Sequence, residues 1–340
     1  MSATERPAGA AVAPAGQPAR EPDARRRTSG GSAGPGSDRR RSRRGRPLSI
    51  RAQRAVAAWL LAAPFFVLFL VFFAGPVLAS LALGFTDLRS TDLRHPFAVN
   101  FVGFDNYTRL FQDETFRTAM VNTAIFVPVT LALTMALALA VAVALHRGIE
   151  RFRTLFRVGY YLPYVTSIVG VAVVWRIMYQ HDSGVINRVL GFVGIDGPNW
   201  LESTTWSLPA IILMTAWRGM GFQMVIMLAG LSAIPSGMYE AAEVDGASQW
   251  QRFRYVTVPM LRPTLLLGAV LGTIGLVQWF EEPYVMTRGG PLNSTLSVSM
   301  FTLNQFGFGN YSYAAAASYV IFAVMVALTV VQFRLLRSNT

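Results

Sequence analysis

Six apolar stretches, each long enough to cross a bilayer as a helix, constrain this chain more than any other feature. They run roughly over residues 57–84, 119–145, 158–179, 208–231, 264–286 and 314–333. A helix needs about 20 consecutive apolar residues to span the hydrocarbon. Lipid offers backbone polar groups no partners, so each stretch must satisfy its own, as a helix does. Composition agrees: 14% of the 340 residues are charged, against about 25% in soluble domains. Pro64, Pro76, Pro128 and Pro163 interrupt several stretches. Membrane helices tolerate this when neighbours satisfy the freed carbonyls. The expected fold is an all-α membrane protein with six transmembrane helices.

The net charge of +12 is unevenly spread. Residues 1–54 hold 13 Arg and four acids, among much Ala, Pro, Gly and Ser and with no apolar period. That segment reads as a disordered Arg-rich tail ahead of a six-helix domain at 55–340. The run Arg39–Arg46 is basic enough to attract anionic lipid or nucleic acid. An apolar segment follows at once, so it reads as an anchor that keeps the N-terminus inside, with the bilayer and not nucleic acid as its partner. A cleaved signal would carry an apolar region of about 7–15 residues. Here the uncharged run continues from Ala55 to Phe85, as expected of a retained span.

Sidedness follows from counting Lys and Arg in the connections. With the N-terminus inside, inner connections hold Arg147, Arg151, Arg153 and Arg157, then Arg252, Arg254 and Arg262, then Arg334 and Arg337. Outer connections hold Arg89, Arg94, Arg109 and Arg117, then Arg188, then Arg288. The first outer loop is no poorer in Arg than the first inner one. The later loops and the N-terminal cluster favour both termini being cytoplasmic. Within the first outer loop, Phe104, Tyr107, Leu110 and Phe111 have helical spacing, which predicts a short amphipathic helix before the second span.

Two function classes find little support. An enzyme needs paired acids, a metal cluster or a nucleophile–base pair at a cleft. This chain has no cysteine, three scattered histidines (His95, His146, His181), and neither an HExxH motif nor a Gly-rich phosphate loop. A secondary transporter would show inverted repeats and buried coupling carboxylates. No repeat is evident, and Glu281 and Glu282 lie toward one end of a span.

The segment 235–263 is polar, short and turn-containing, between two apolar runs. Pro235 ends the fourth span, and Ser236 is placed to cap a new helix from Gly237. Glu240 falls in its first turns, where negative charge suits the helix dipole. Ala241, Ala242 and Ala247 are small and permit close approach. Asp245-Gly246 is a turn signal, with Gly246 free to take positive φ. Ser248 and Gln251 have capping-box spacing for a second helix, on which Trp250 and Phe253 share a face. Pro259 and Pro263 are expected to stop that helix before the fifth span. The product is a helix-turn-helix knuckle that a groove in a partner could receive.

Ile234-Pro235, Tyr239-Glu240-Ala241-Ala242, Asp245-Gly246-Ala247, Trp250 through Phe253 and Pro259 stand in one frame. That frame resembles the cytoplasmic coupling loop of binding-protein-dependent ABC importer permeases. Asn122-Thr123, Leu162-Pro163-Tyr164, Gly289-Gly290-Pro291 and Ser294-Thr295 are similar to the carbohydrate-uptake, maltose-type branch. The likeness runs from about residue 55 to the end; the Arg-rich tail departs from the family's usual short N-terminus. The resemblance implies a type I importer architecture and a second, similar permease subunit. It also implies two ATPase subunits and an extracytoplasmic solute-binding protein. ATP and Mg would sit on the ATPases, with no cofactor on this chain. Glu240, Ala241, Ala242, Asp245, Gly246, Ala247 and Pro259 would couple to the ATPase. The chain would sit in a bacterial inner membrane and pass a sugar or sugar-like solute. Polyols and glycerol phosphodiesters are the alternatives within the class.

Charges within a bilayer are costly and usually functional. Arg218 lies 14 residues from Ser232, and Gln278 lies 15 from Pro263. Both are therefore about 21–22 Å deep. A sugar site needs hydroxyl-pairing groups beside flat apolar faces. Arg218, Gln223, Gln278 and Glu281 supply the first; Trp217, Trp279 and Tyr284 offer the second. Arg218 could equally pair with an acid of a partner subunit. Asn122, Thr123 and Thr130 are expected to bond between helices.

Overall fold

The computed structural model of the chain describes residues 50–94, 99–147 and 153–336. The predicted tail at 1–54 lies almost wholly outside them, as do Arg151 and Arg337. The division of the chain into two units falls between Leu61 and Ala62, and the packing below belongs to Ala62–Thr340. Among the described residues the structure is helical, with one isolated antiparallel bridge, Thr86 to Phe101.

The first span is α1 (Ile50–Phe69), a π turn (Leu70–Ala74) and α2 (Gly75–Leu83) in one run. The Gly75 N–H reaches back five residues to the Leu70 carbonyl. That wider turn makes room just ahead of Pro76, whose ring would otherwise meet the carbonyl below it. The predicted amphipathic helix is α3 (Asp105–Gln112). Its Leu110 is buried and Tyr107 half-buried, while Phe104 and Phe111 are exposed, so only part of the expected apolar face packs inward. Buried Asn106 donates to the Gly84 and Thr86 carbonyls (3.0 and 2.7 Å), pinning α3 beneath the end of the first span. Asp113 then caps α4 (Glu114–Arg147), accepting from the N–H groups of Thr115 and Phe116.

The third apolar stretch is not one straight helix. It is α5 (Arg153–Val165) and α6 (Ile168–Met178), meeting at 95°. Pro163 carries no donor, and the Thr166 hydroxyl bonds back to the Leu162 carbonyl at 2.8 Å. Ser167 then turns extended, with ψ 124°. A short α7 (Val185–Phe192) leads to α8 (Ser207–Ser232), the most buried of the long helices. It packs against α4, α5 and the helix Arg262–Val277. Gly221 permits the α5 crossing, since a Cβ there would lie 2.0 Å from the Tyr160 carbonyl oxygen.

After the knuckle, α12 (Arg262–Val277) replaces most of the fifth expected span, but it stops nine residues short of 286. The chain breaks at Gln278–Phe280 and resumes as α13 (Glu281–Met286). α14 (Val298–Gly307) and α15 (Tyr311–Leu336) complete the fold. Four helical runs are long and apolar enough to cross a membrane alone, and the two bent pairs raise the number to six. The loop before α14 is clasped by Asn122, which donates to the Asn293 and Leu296 carbonyls. Thr123 accepts from the Trp279 indole and the Val298 N–H, as expected of residues that tie helices together. The Thr130 hydroxyl is buried without a partner, contrary to its expected interhelical bond.

Candidate functional site

The knuckle takes its shape from local chemistry. α9 (Ser236–Val244) begins at Ser236 itself, with Pro235 at the cap position and no side-chain cap. Ser236 is therefore the first helical residue, not the cap expected, because extended Pro235 already ends the preceding turn. Gly246 has φ +77° and closes a Schellman motif. In it the Ala247 N–H donates to the Ala242 carbonyl and the Gly246 N–H to that of Glu243. Ser248 and Gln251 form the predicted capping box of α10 (Gln249–Arg252).

The helix does not stop at Pro259. It continues through a π turn (Phe253–Thr257) and α11 (Val258–Met260), then bends 64° into α12. As at Pro76, the five-residue turn absorbs the missing donor and the ring, so the proline bends the arm rather than ending it. Pro263 lies in the first turn of α12, where a missing N–H is harmless.

Two pairs hold the arms together. Arg252 Nη1 donates to Glu243 Oε2 at 2.9 Å, and the Tyr239 hydroxyl bonds Thr257 Oγ1 at 3.1 Å. Glu240, Ala241, Asp245 and Gly246 are exposed on the tip, with Ala242 and Ala247 half-buried. Val244 is 89% exposed, and Trp250, stacked on Phe253, is exposed as well. The tip is thus a rigid, partly apolar surface flanked by acids.

Beside the middle of α8 and the end of α12 far from the knuckle lies a cavity of about 230 Å³, bounded by the breaks in the third and fifth stretches. All five residues expected along the pathway, Arg218, Gln223, Gln278, Trp279 and Glu281, line it. Their roles there differ. The Arg218 guanidinium lies 5.3 Å above the Tyr164 ring and donates to the Tyr164 carbonyl at 3.1 Å. Gln223 is buried, with its amide N–H on the Gly268 carbonyl. Gln278 is exposed and touches the Met325 sulfur at 3.7 Å. Trp279 is buried, one face stacked on Phe126 at 3.8 Å, so that face is closed to a sugar. Glu281 is exposed and Glu282 buried.

Trp217 packs on Trp175, and Tyr284 on Phe280, and neither lines the cavity. Thr215, Tyr164, Phe222 and Glu282 do line it and escaped the sequence reading. The α8 residues had a signal: 215, 218, 219, 222 and 223 share one helical face.

Among the described residues seven side chains bury a polar atom with no hydrogen-bond partner. Four of them line this cavity: Thr215 Oγ1, Arg218 Nε, Gln223 Oε1 and Glu282 Oε2. Buried polar atoms are nearly always satisfied, so four orphaned atoms in the wall of one cavity set it apart from the rest of the described residues.

Residues 132–338 match the family described as binding-protein-dependent transport system inner membrane component. The lactose transport system permease protein LacF of Rhizobium radiobacter is 37% identical over 84% of this chain and 95% of its own length. The trehalose/maltose transport system permease protein MalF of Thermococcus litoralis is 30% identical over 84% and 95%. A solved bacterial ABC transporter involved in the import of the acidic polysaccharide alginate shares the fold. Its TM-score is 0.71 at 24% identity, over 85% of this chain and 97% of that one. The chain therefore belongs to the binding-protein-dependent transport system inner membrane components. It is an ABC importer permease subunit: a membrane transport component, not an enzyme.

Proposed function

We propose that this chain passes a sugar or sugar-like solute across the membrane, driven by ATPase subunits that grip the knuckle. One observation carries the reading. α8 runs unbroken from the cavity with the orphaned polar atoms to the knuckle, and α12 returns from the knuckle to the same cavity. A displacement of the tip is thereby delivered to two cavity walls.

In this reading Glu240, Ala241, Ala242, Asp245, Gly246, Ala247 and Pro259 form the coupling surface. Arg218, Gln223, Gln278 and Glu281 meet solute hydroxyls, and Trp279 acts as a wall. The similarity to lactose and trehalose/maltose permeases supports a saccharide. The partners are a second, similar permease, two ATPase subunits carrying ATP and Mg, and an extracytoplasmic binding protein. The knuckle and both termini face the cytoplasm, where ATP is available.

The test is co-purification in detergent of the tagged chain with the products of its neighbouring genes, for wild type and Gly246→Arg. A Cβ at Gly246 meets nothing within 4 Å, so the variant disturbs only the tip and its positive φ. Wild type should bring down a second permease and an ATPase, and the variant should lose the ATPase while still inserting. Wild type purifying alone, and moving solute in liposomes without ATP, overturns the proposal.

A further inference from the structure

The cavity lining says what charge its occupant carries. Thr215, Gln223 and Glu282 are only 8%, 3% and 6% exposed, and each buries an unpartnered oxygen in the wall of the cavity that Arg218, with its unpartnered Nε–H, also lines. The Gln223 amide nitrogen is already committed to Gly268, so its free oxygen can only accept. Gln223 Oε1 therefore needs a donor, Arg218 Nε needs an acceptor, and the Thr215 hydroxyl can be either. A hydroxyl both gives and accepts, so a polyhydroxylated neutral solute can satisfy every one of these atoms. A carboxylate, sulfonate or phosphate group only accepts, so it serves Arg218 Nε or the Thr215 hydroxyl but not Gln223 Oε1; the hydroxyls of an acidic sugar can still serve Gln223, so discrimination falls to charge.

The charges point the same way. Among the described residues Arg218 is the one cation lining the cavity. It faces two carboxyls, Glu281 and Glu282. No ion pair fixes any of the three, the described residues pairing Arg252 with Glu243 instead. Whether or not Glu282 holds its proton, exposed Glu281 offsets Arg218, and the lining has no surplus positive charge for an anion. Specificity of this kind comes from an element that repels the wrong ligand as much as from contacts to the right one.

We infer that Glu281 and Glu282 make this cavity a filter against anionic saccharides, so that the chain passes neutral ones. The inference rests on the cavity being the solute site. It separates this chain from a fold relative such as the alginate importer, which carries an acidic polysaccharide.

The experiment uses the assembled complex in nanodiscs, without binding protein, and two probe sugars: lactose and its acid, lactobionate. Affinities are read by saturation-transfer NMR for wild type, Glu282→Gln and the double variant Glu281→Gln/Glu282→Gln. Wild type should favour lactose by on the order of tenfold or more, since like charges brought together across a binding surface are strongly disfavoured. The double variant leaves Arg218 uncompensated, and its lactobionate affinity should rise in absolute terms. A damaged site would not give such a gain. If wild type binds both sugars alike, the filter is wrong and the solute site stands. The same holds if lactobionate gains nothing in a double variant that still assembles. If the double variant fails to assemble, the wild-type ratio and Glu282→Gln decide by the same criteria. If wild type binds neither lactose, lactobionate nor a panel of neutral di- and trisaccharides, the cavity is not the solute site and both readings fall.

Discussion

Two glycines show how much a single missing Cβ decides. Gly221 sits where α8 crosses α5, and a Cβ there would meet backbone, the Tyr160 carbonyl oxygen at 2.0 Å and the Tyr161 Cα at 3.0 Å. Backbone cannot swing aside as a side-chain end can, so the helices must separate. Gly221→Ala should cost about 1–3 kcal/mol, seen as a lower melting temperature of the detergent-purified chain. Gly159, inside α5, would meet nothing within 4 Å, and Gly159→Ala should not lower it. An equal loss in both variants would mean that helix crossing is not what Gly221 serves. Residue chemistry of this kind was partly legible in the sequence. Counting turns from each span's end put Arg218 and Gln278 at one depth, and the structure puts both on one cavity. Depth is a one-dimensional quantity, however. The direction in which a side chain points around its helix depends on packing, so Trp217 and Tyr284 fell outside and Glu282, at the same level, was passed over.

At the scale of elements, caps and turns could be read because they are local. Ser248 with Gln251, and Gly246 at its positive φ, formed as their spacing required. Prolines could not be read so simply. Pro64 and Pro128 lie inside continuous helices, Pro163 precedes a 95° bend, and Pro76 and Pro259 each follow a π turn. The residue removes one hydrogen bond in every case; which neighbours take up the slack is set by the rest of the bundle. The π turn before Pro259 has a mechanical consequence. It inserts one residue into the arm, which rotates Trp250 and Phe253 relative to α12 by about 100° compared with an uninterrupted helix. Pro259→Ala permits an ordinary turn there. The permease should still assemble with its ATPases, but solute transport per ATP hydrolysed should fall in reconstituted complexes. An unchanged ratio would show that the twist of the arm is irrelevant to coupling.

For the whole molecule the open question of physics is which way up it sits. The Arg counts favour the knuckle inside, but the first outer loop is as rich in Arg as the first inner one, so the later loops carry the preference. The structure supplies two positions that decide it. Val244, on the knuckle, and Leu292, in the loop between α13 and α14, are each 89% exposed, and α12 with α13 lies between them. The natural chain has no cysteine, so a single introduced thiol is the only one present. Val244→Cys should react with a membrane-impermeant maleimide in inside-out vesicles and not in spheroplasts. Leu292→Cys should do the reverse. The knuckle must meet ATPases on the side where ATP is made, so a Val244 thiol labelled from outside would overturn the orientation and the coupling mechanism together. If both thiols labelled from one side, α12 and α13 would form a re-entrant loop, and the bent fifth stretch would not cross the membrane at all.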